Sequence, residues 1–232
     1  MNVLKGLTRF EKILWGASIA GILLSSLLSA NRNVLTIVAS LIGVTALIFV
    51  AKGHTVGQIL TVLFSLVYGW ISVEYRYYGE MITYLFMTTP IAILSIISWI
   101  KNPYEAGRNE VKVAVLSKTT KYVLLLLTII VTTCFYFVLR ALDTENLLIS
   151  TVSIATSFMA SALMFCRSSG YALAYAANDI VLIVLWILAT IENSMYLSMV
   201  VCFIIFLCND IYGYYNWKKM KRRQELVFES DY

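Results

Sequence analysis

The sequence predicts an all-α membrane protein of eight transmembrane helices, and three observations lead there. Of its 232 residues, 60% are apolar by the AVILMFWYC count and only 13% are charged, against roughly 45–50% and about 25% in ordinary soluble domains. Only 2 prolines and 11 glycines interrupt the chain, so its near-continuous apolar runs read as long helices, not as the alternating strands of a membrane barrel. The basic residues, finally, collect on every second loop. Polar surface could not cover such a chain in water, which excludes a soluble enzyme, a secreted disulfide scaffold and a disordered tail together.

About 20 apolar residues cross ~30 Å of hydrocarbon. Windows of that length place spans at 13–30, 34–51, 56–73, 80–100, 121–142, 147–167, 171–190 and 196–217. The first has the basic start of a signal peptide but no clear small-x-small cleavage site after Leu28, so it is kept as a helix. Assigning loops alternately to two sides puts 15 of the 18 Lys and Arg residues on one of them: Lys5, Arg9, Lys12, Lys52, Lys101, Arg108, Lys112, Lys118, Lys121, Arg167, Lys218, Lys219, Lys221, Arg222 and Arg223. Arg32, Arg76 and Arg140 take the other. By the positive-inside rule both termini are then cytoplasmic. Topology thus accounts for the net charge of +5 without nucleic acid. Cys134, Cys166, Cys202 and Cys208 lie in apolar runs without C-x-x-C spacing and read as small buried hydrophobes. His54 is the single histidine, so neither a metal site nor any other cofactor is expected.

An internal repeat organises the spans. Tyr78-Gly79-Glu80-Met81 … Trp99-Ile100-Lys101 aligns with Tyr196-Leu197-Ser198-Met199 … Trp217-Lys218-Lys219 at an offset of 118, which also sets Glu74 on Glu192 and Tyr68 on Trp186. With a one-residue slip, Ala39-Ser40 … Gly53 lies over Thr156-Ser157 … Gly170. The expected organisation is an N-terminal helix and cytoplasmic start (1–33), a first three-helix repeat (34–100), a loop and linker helix (101–142), a second three-helix repeat (143–217) and a basic cytoplasmic tail (218–232). One linker helix makes the two triplets parallel, a transporter design with its site between the repeats.

Only Asp179 and Asp210 are expected within hydrocarbon depth, where an acid costs at least about 2.5–3.5 kcal/mol and usually faces a cavity. Each follows an asparagine, giving Asn178-Asp179 and Asn209-Asp210. At 1.5 Å per residue Asp179 lies roughly 12–13 Å, and Asp210 about 10–11 Å, from the same side. Both dipeptides therefore share one layer. Tyr175 and Trp186 flank the first at helical spacing, Phe206 and Tyr214 the second. Aromatic faces beside amide and acid groups suit a flat ring with a polar edge. These eight residues are the expected substrate-binding set. The same amides could instead tie helices together, at about 0.6 kcal/mol per hydrogen bond. Trp99, Trp217, Tyr212 and Tyr215 read as interfacial belt aromatics. Glu74, Glu80, Glu192, Asp143 and Glu145 read as solvated charges on the outer side that could favour a cationic solute.

The strings Tyr68-Gly69-Trp70 … Tyr77-Tyr78-Gly79-Glu80-Met81 and Asn209-Asp210-Ile211-Tyr212-Gly213 … Asn216-Trp217-Lys218-Lys219 resemble the PnuC-type (Pnu) vitamin transporters over residues 34–222. The resemblance implies a bacterial inner-membrane uptake protein for nicotinamide riboside or a related nucleoside or deoxynucleoside. It further implies a SWEET-like 3-1-3 core with its own helix order, a homotrimer, and facilitated diffusion with the solute trapped by a cytosolic nucleoside kinase. Nicotinamide riboside members carry Trp-x-x-Trp in the sixth core helix, whereas 171–190 has only Trp186, with Asn178 and Asp179 in the motif region. Thiamin or riboflavin therefore remain as alternative cargoes, and a non-transporting scaffold or sensor as an alternative class. One histidine and two membrane acids on separate helices argue against an intramembrane enzyme, and neither acid has a second acid or a basic partner on its own helix.

Overall fold

The computed structural model describes residues 6–28, 34–74, 78–105 and 109–230. Lys5, Arg32, Arg76, Tyr77 and Arg108, and the side chain of Glu74, lie outside the described residues. The described chain forms eight helices long and apolar enough to cross a membrane. These are α1 (Arg9–Leu28), α2 (Val34–Ala51), α3 (Thr55–Glu74), a composite span made of α4 (Tyr78–Ile82), a π turn (Thr83–Thr88) and α5 (Thr89–Ile100), then α6 (Lys118–Ala141), α7 (Leu147–Phe165), α8 (Tyr171–Glu192) and α9 (Leu197–Ser230). Strand pairing among the described residues is confined to isolated bridges in the loops. Large apolar side chains such as Phe86, Tyr122, Leu148 and Ile191 point outward, a surface that only lipid or another apolar partner tolerates. Cys134 and Cys208 belong to that exposed surface, contrary to their reading as buried; Cys202 alone of the four is fully buried.

Six helices close a ring. Neighbours pack in the order α2, α3, α5, α7, α8, α9 and back to α2, while α6 lies outside against α7 and α1 outside against α2 and α9. One end of the bundle is basic. There Glu11, at the start of α1, binds the Lys52 ammonium at 3.1 Å and accepts from the Tyr212 hydroxyl at 2.7 Å. It also caps its own helix, taking the Thr8 N–H at 2.6 Å while the Thr8 hydroxyl accepts from the Glu11 N–H. His54 sits half-buried beside Lys52, and burial first, then that positive charge, hold its imidazole pKa below the ordinary value. Its Nδ1 accepts from the Val56 N–H and so caps α3.

Helices α2 and α7 both end at the basic end in the same turn. Gly53 N–H reaches the Val50 carbonyl and His54 N–H the Phe49 carbonyl; Arg167 N–H reaches Met164 and Ser168 N–H reaches Leu163. The third residue of each turn has a left-handed φ, +64° at Gly53 and +57° at Arg167. These equivalent turns are 114 residues apart, so the sequence alignment that set Gly53 over Gly170 is corrected to Arg167. The positive-φ position defines the register, and a non-glycine residue occupies it in the second turn.

Trp99 and Trp217 are the second correction. They are not interfacial belt aromatics but almost wholly buried, at 1% and 0% exposure, with ring centroids 5.5 Å apart. Each indole N–H donates to the last turn of the neighbouring helix in the ring, Trp99 to the Met164 carbonyl at 3.3 Å and Trp217 to the Val50 carbonyl at 2.9 Å. Carbonyls at a helix C-terminus lack intrahelical partners, and the indoles supply them. Tyr215 remains on the surface. Residues 109–116 strap the same end, with Val111 N–H on the Gly53 carbonyl and Ala114 N–H on the Arg167 carbonyl. The basic segment after Trp217 continues α9 as helix, and Gln224 fastens it to that loop through the Val113 N–H and Val111 carbonyl.

The composite span owes its π turn to Pro90, which has no N–H to donate and starts α5. Thr89 compensates: its N–H and its hydroxyl both reach back to the Tyr84 carbonyl, and the hydroxyl also meets Ser65 Oγ at 2.7 Å.

If the paired tryptophans close the basic end, Trp99→Phe and Trp217→Phe should each destabilise the protein by about 1–3 kcal/mol, the cost of a buried acceptor left unpaired. Thermal unfolding in detergent measures this; unchanged melting of both variants would contradict it.

Candidate functional site

At the centre of the ring Asp179 on α8 and Asp210 on α9, each 4% exposed, border the same cavity. Two carboxyl groups buried together at one site disfavour each other's ionisation. Asp179 Oδ2 is buried without a hydrogen-bond partner among the described residues. The second acid that neither helix offers on its own comes from the neighbouring helix.

These carboxyls border a narrow cavity of about 70 Å³, to which all six ring helices contribute. Gly43 and Ala46 come from α2, Thr61 and Phe64 from α3, Tyr84 and Thr88 from the π turn, and Ser157 from α7. Phe64 stands among Tyr84, Phe206 and Tyr68 at centroid distances of 5.7, 5.6 and 5.4 Å. The mutually tilted rings form an aromatic wall opposite the acid pair. Gly43 makes the room, since a Cβ there would lie 2.5 Å from Phe206 Cζ. Ligand pockets usually span ≈ 300–1,000 Å³, so a ring-bearing solute enters this cavity only if the aromatic wall moves.

Five of the eight residues expected from the sequence line this cavity: Tyr175, Asn178, Asp179, Phe206 and Asp210. Tyr175 is held by Ser161, hydroxyl to hydroxyl at 3.0 Å. Asn178 Oδ1 accepts from Thr156 at 2.8 Å and Ser157 at 2.9 Å, so this residue both faces the cavity and ties α8 to α7. The other three lie elsewhere. Asn209 turns to α1, its amide donating to Ser18 at 3.0 Å and to the Ile205 carbonyl at 2.8 Å; one residue of helical rotation separates it from Asp210. Tyr214 lies at the basic end under the Lys218 ammonium, 4.6 Å from its ring centroid. Trp186, 3% exposed, lines a second pocket nearer the opposite end, its ring 5.7 Å from that of Tyr196.

That second pocket, of about 390 Å³, holds a group that the sequence reading placed in solvent. Glu80 is 5% exposed and its Oε2 has no hydrogen-bond partner among the described residues. Among the described residues three carboxyl side chains, Glu80, Asp179 and Asp210, are therefore buried beside these pockets, not two. One signal for this is present in the chain: Pro90 follows Glu80 by ten residues, and the span takes a π turn between them. Tyr68 and Tyr84, whose rings meet at 4.4 Å, stand between the acidic-end pocket and the central cavity. Among the described residues no group of three or more His, Cys, Asp or Glu side chains could hold a metal ion.

Comparison with known proteins gives a consistent picture. The family described as nicotinamide mononucleotide transporter matches residues 33–219. A nicotinamide riboside transporter PnuC from Neisseria mucosa is 25% identical over 222 residues, covering 94% of this chain and 84% of that protein. Its counterpart from Haemophilus influenzae is 24% identical over 190 residues, covering 82% and 81%. A crystal structure of the vitamin B3 transporter PnuC superposes with a TM-score of 0.82 over 94% of each chain at 23% identity.

The tight fit around Gly43 predicts that Gly43→Ala costs about 1–3 kcal/mol by overpacking against Phe206, measured as a lowered melting temperature. A variant as stable as the wild type would mean that the wall yields freely.

Proposed function

Because the chain belongs to the nicotinamide mononucleotide transporter family, which matches it from residue 33 to 219, we propose that it carries nicotinamide riboside across the membrane by facilitated diffusion. The carrying observation is the buried acid pair opposite an aromatic wall in a ring of six helices. A flat aromatic ring stacks on such a wall, while carboxyl oxygens accept from ribose hydroxyls or a carboxamide. Both curated relatives above are named as nicotinamide riboside transporters. Transport, not catalysis, is the activity of the family, and the chain is read as having no enzymatic step of its own.

The finer architecture belongs to the same reading. The ring order α2–α3–α5, then α7–α8–α9, with α2 and α7 running the same way, supports a 3-1-3 core of parallel repeats related to the SWEET arrangement. The matched turns and the reciprocal Trp99 and Trp217 hydrogen bonds support it further. Alternating access is then a rocking of the two triplets. With the charge split of the loops, the basic end is cytoplasmic and carries both termini, in a bacterial inner membrane. A homotrimer, and a cytosolic nucleoside kinase that traps the solute, complete the proposal.

Purified protein in liposomes should exchange labelled nicotinamide riboside by counterflow without ATP or an ion gradient, and Asp179→Asn should lower the flux at least tenfold with insertion unchanged. A buried acid pair is also what a proton-coupled carrier uses; concentrative, protonophore-sensitive uptake would favour that second reading. Absence of flux, or flux of thiamin or riboflavin instead, would overturn the choice of substrate.

A further inference from the structure

Glu80 is the buried group left unexplained by the central cavity. It belongs to the acidic-end pocket, whose lining also includes the carboxylates of Asp143, Glu145 and Glu192 and, among the described residues, no lysine or arginine. A solvated cluster of acids alone would mean little. Glu80, however, is 95% removed from solvent, with Oε2 unpaired. Burying a carboxylate oxygen with no donor is expensive, and a cation entering the pocket is the partner that offsets the cost. Trp186 lines the same pocket, and an indole face attracts a cation most strongly of the aromatic side chains. Clefts lined by one sign of charge with apolar walls concentrate the opposite ion. Tyr68 and Tyr84, both within electrostatic reach of Glu80, lead on to the central cavity.

We infer that Glu80 and Trp186 form a charge-reading subsite at the acidic-end mouth, which selects aromatic cations before they reach the Asp179–Asp210 cavity. This rests on the transport reading above, and its substrate class is narrower: N-ribosylated pyridinium rings, whose ring nitrogen bears a permanent positive charge. Neutral nucleosides of the same size lack the feature that Glu80 pairs with. Asp143, Glu145 and Glu192 raise the local concentration of the cation, and Glu80 makes the pairing that distinguishes it.

The test compares nicotinamide riboside with its reduced dihydro form, nearly the same in shape but uncharged, by titration calorimetry on the intact protein in nanodiscs. Wild type should bind the cation at least about tenfold more tightly than the neutral form. Glu80→Gln should bring the two affinities within about twofold, chiefly by weakening binding of the cation. Retention of the full preference in Glu80→Gln, or its absence in wild type, would overturn the subsite. The wild-type comparison and its loss of preference at high salt stand even if Glu80→Gln does not fold. Failure of wild type to bind either form would instead refute the transport reading, and the subsite with it.

Discussion

Two acids buried inside a membrane bundle constrain everything around them. Each alone would cost at least about 2.5–3.5 kcal/mol at the bilayer centre. Asp179 and Asp210 are instead set on one cavity, so that a single polar site serves both. That solution requires α8 and α9 to be neighbours in one register, with the asparagine of each dipeptide left to a different task. Asn178 is then braced by α7 hydroxyls and Asn209 by Ser18 of α1. The N-terminal helix is thus fastened to the wall of the site at Asn209, and at the basic end through Glu11 and Lys52.

The two ends of the ring are unlike. The basic end is shut by a pair of buried indoles and crossed by a strap bonded to both hairpin turns, while the acidic end carries the pocket lined by Glu80 and Trp186. Opening the basic end requires breaking or carrying along two indole–carbonyl bonds, each joining one triplet to the other. They are well placed to be the discrete contacts whose exchange accompanies rocking, since packed interfaces switch between arrangements and do not deform continuously. The central cavity, at about 70 Å³, is too small for a nucleoside in this conformation.

Span number, the side on which each loop falls and the common depth of the two acid positions were legible because they depend on one-dimensional quantities: apolar length, charge alternation and rise per residue. What escaped depends on rotation and on long-range pairing. Depth arithmetic puts Asn209 and Asp210 in one layer, but the 100° between successive residues sends one to α1 and the other to the cavity. Trp99 and Trp217 sit where belt aromatics sit along the chain, and only the closing of the ring shows that they face each other. Glu80 lies at the start of its span by number, where a solvated charge is the ordinary reading, yet it is buried, in the span that a π turn interrupts ahead of Pro90. The repeat was visible at an offset of 118 near Trp99 and Trp217, whereas the turns lie 114 apart, a drift that an ungapped alignment cannot represent.

The most direct measurement is an experimental structure of the protein with nicotinamide riboside bound. The account predicts density for the ring and ribose inside the six-helix circle, with Phe64, Tyr84 and Phe206 displaced to stack on the ring and the Asp179–Asp210 pair within hydrogen-bonding distance of the ligand. A ligand seated outside that circle, with the acid pair and its aromatic wall unchanged, would contradict it.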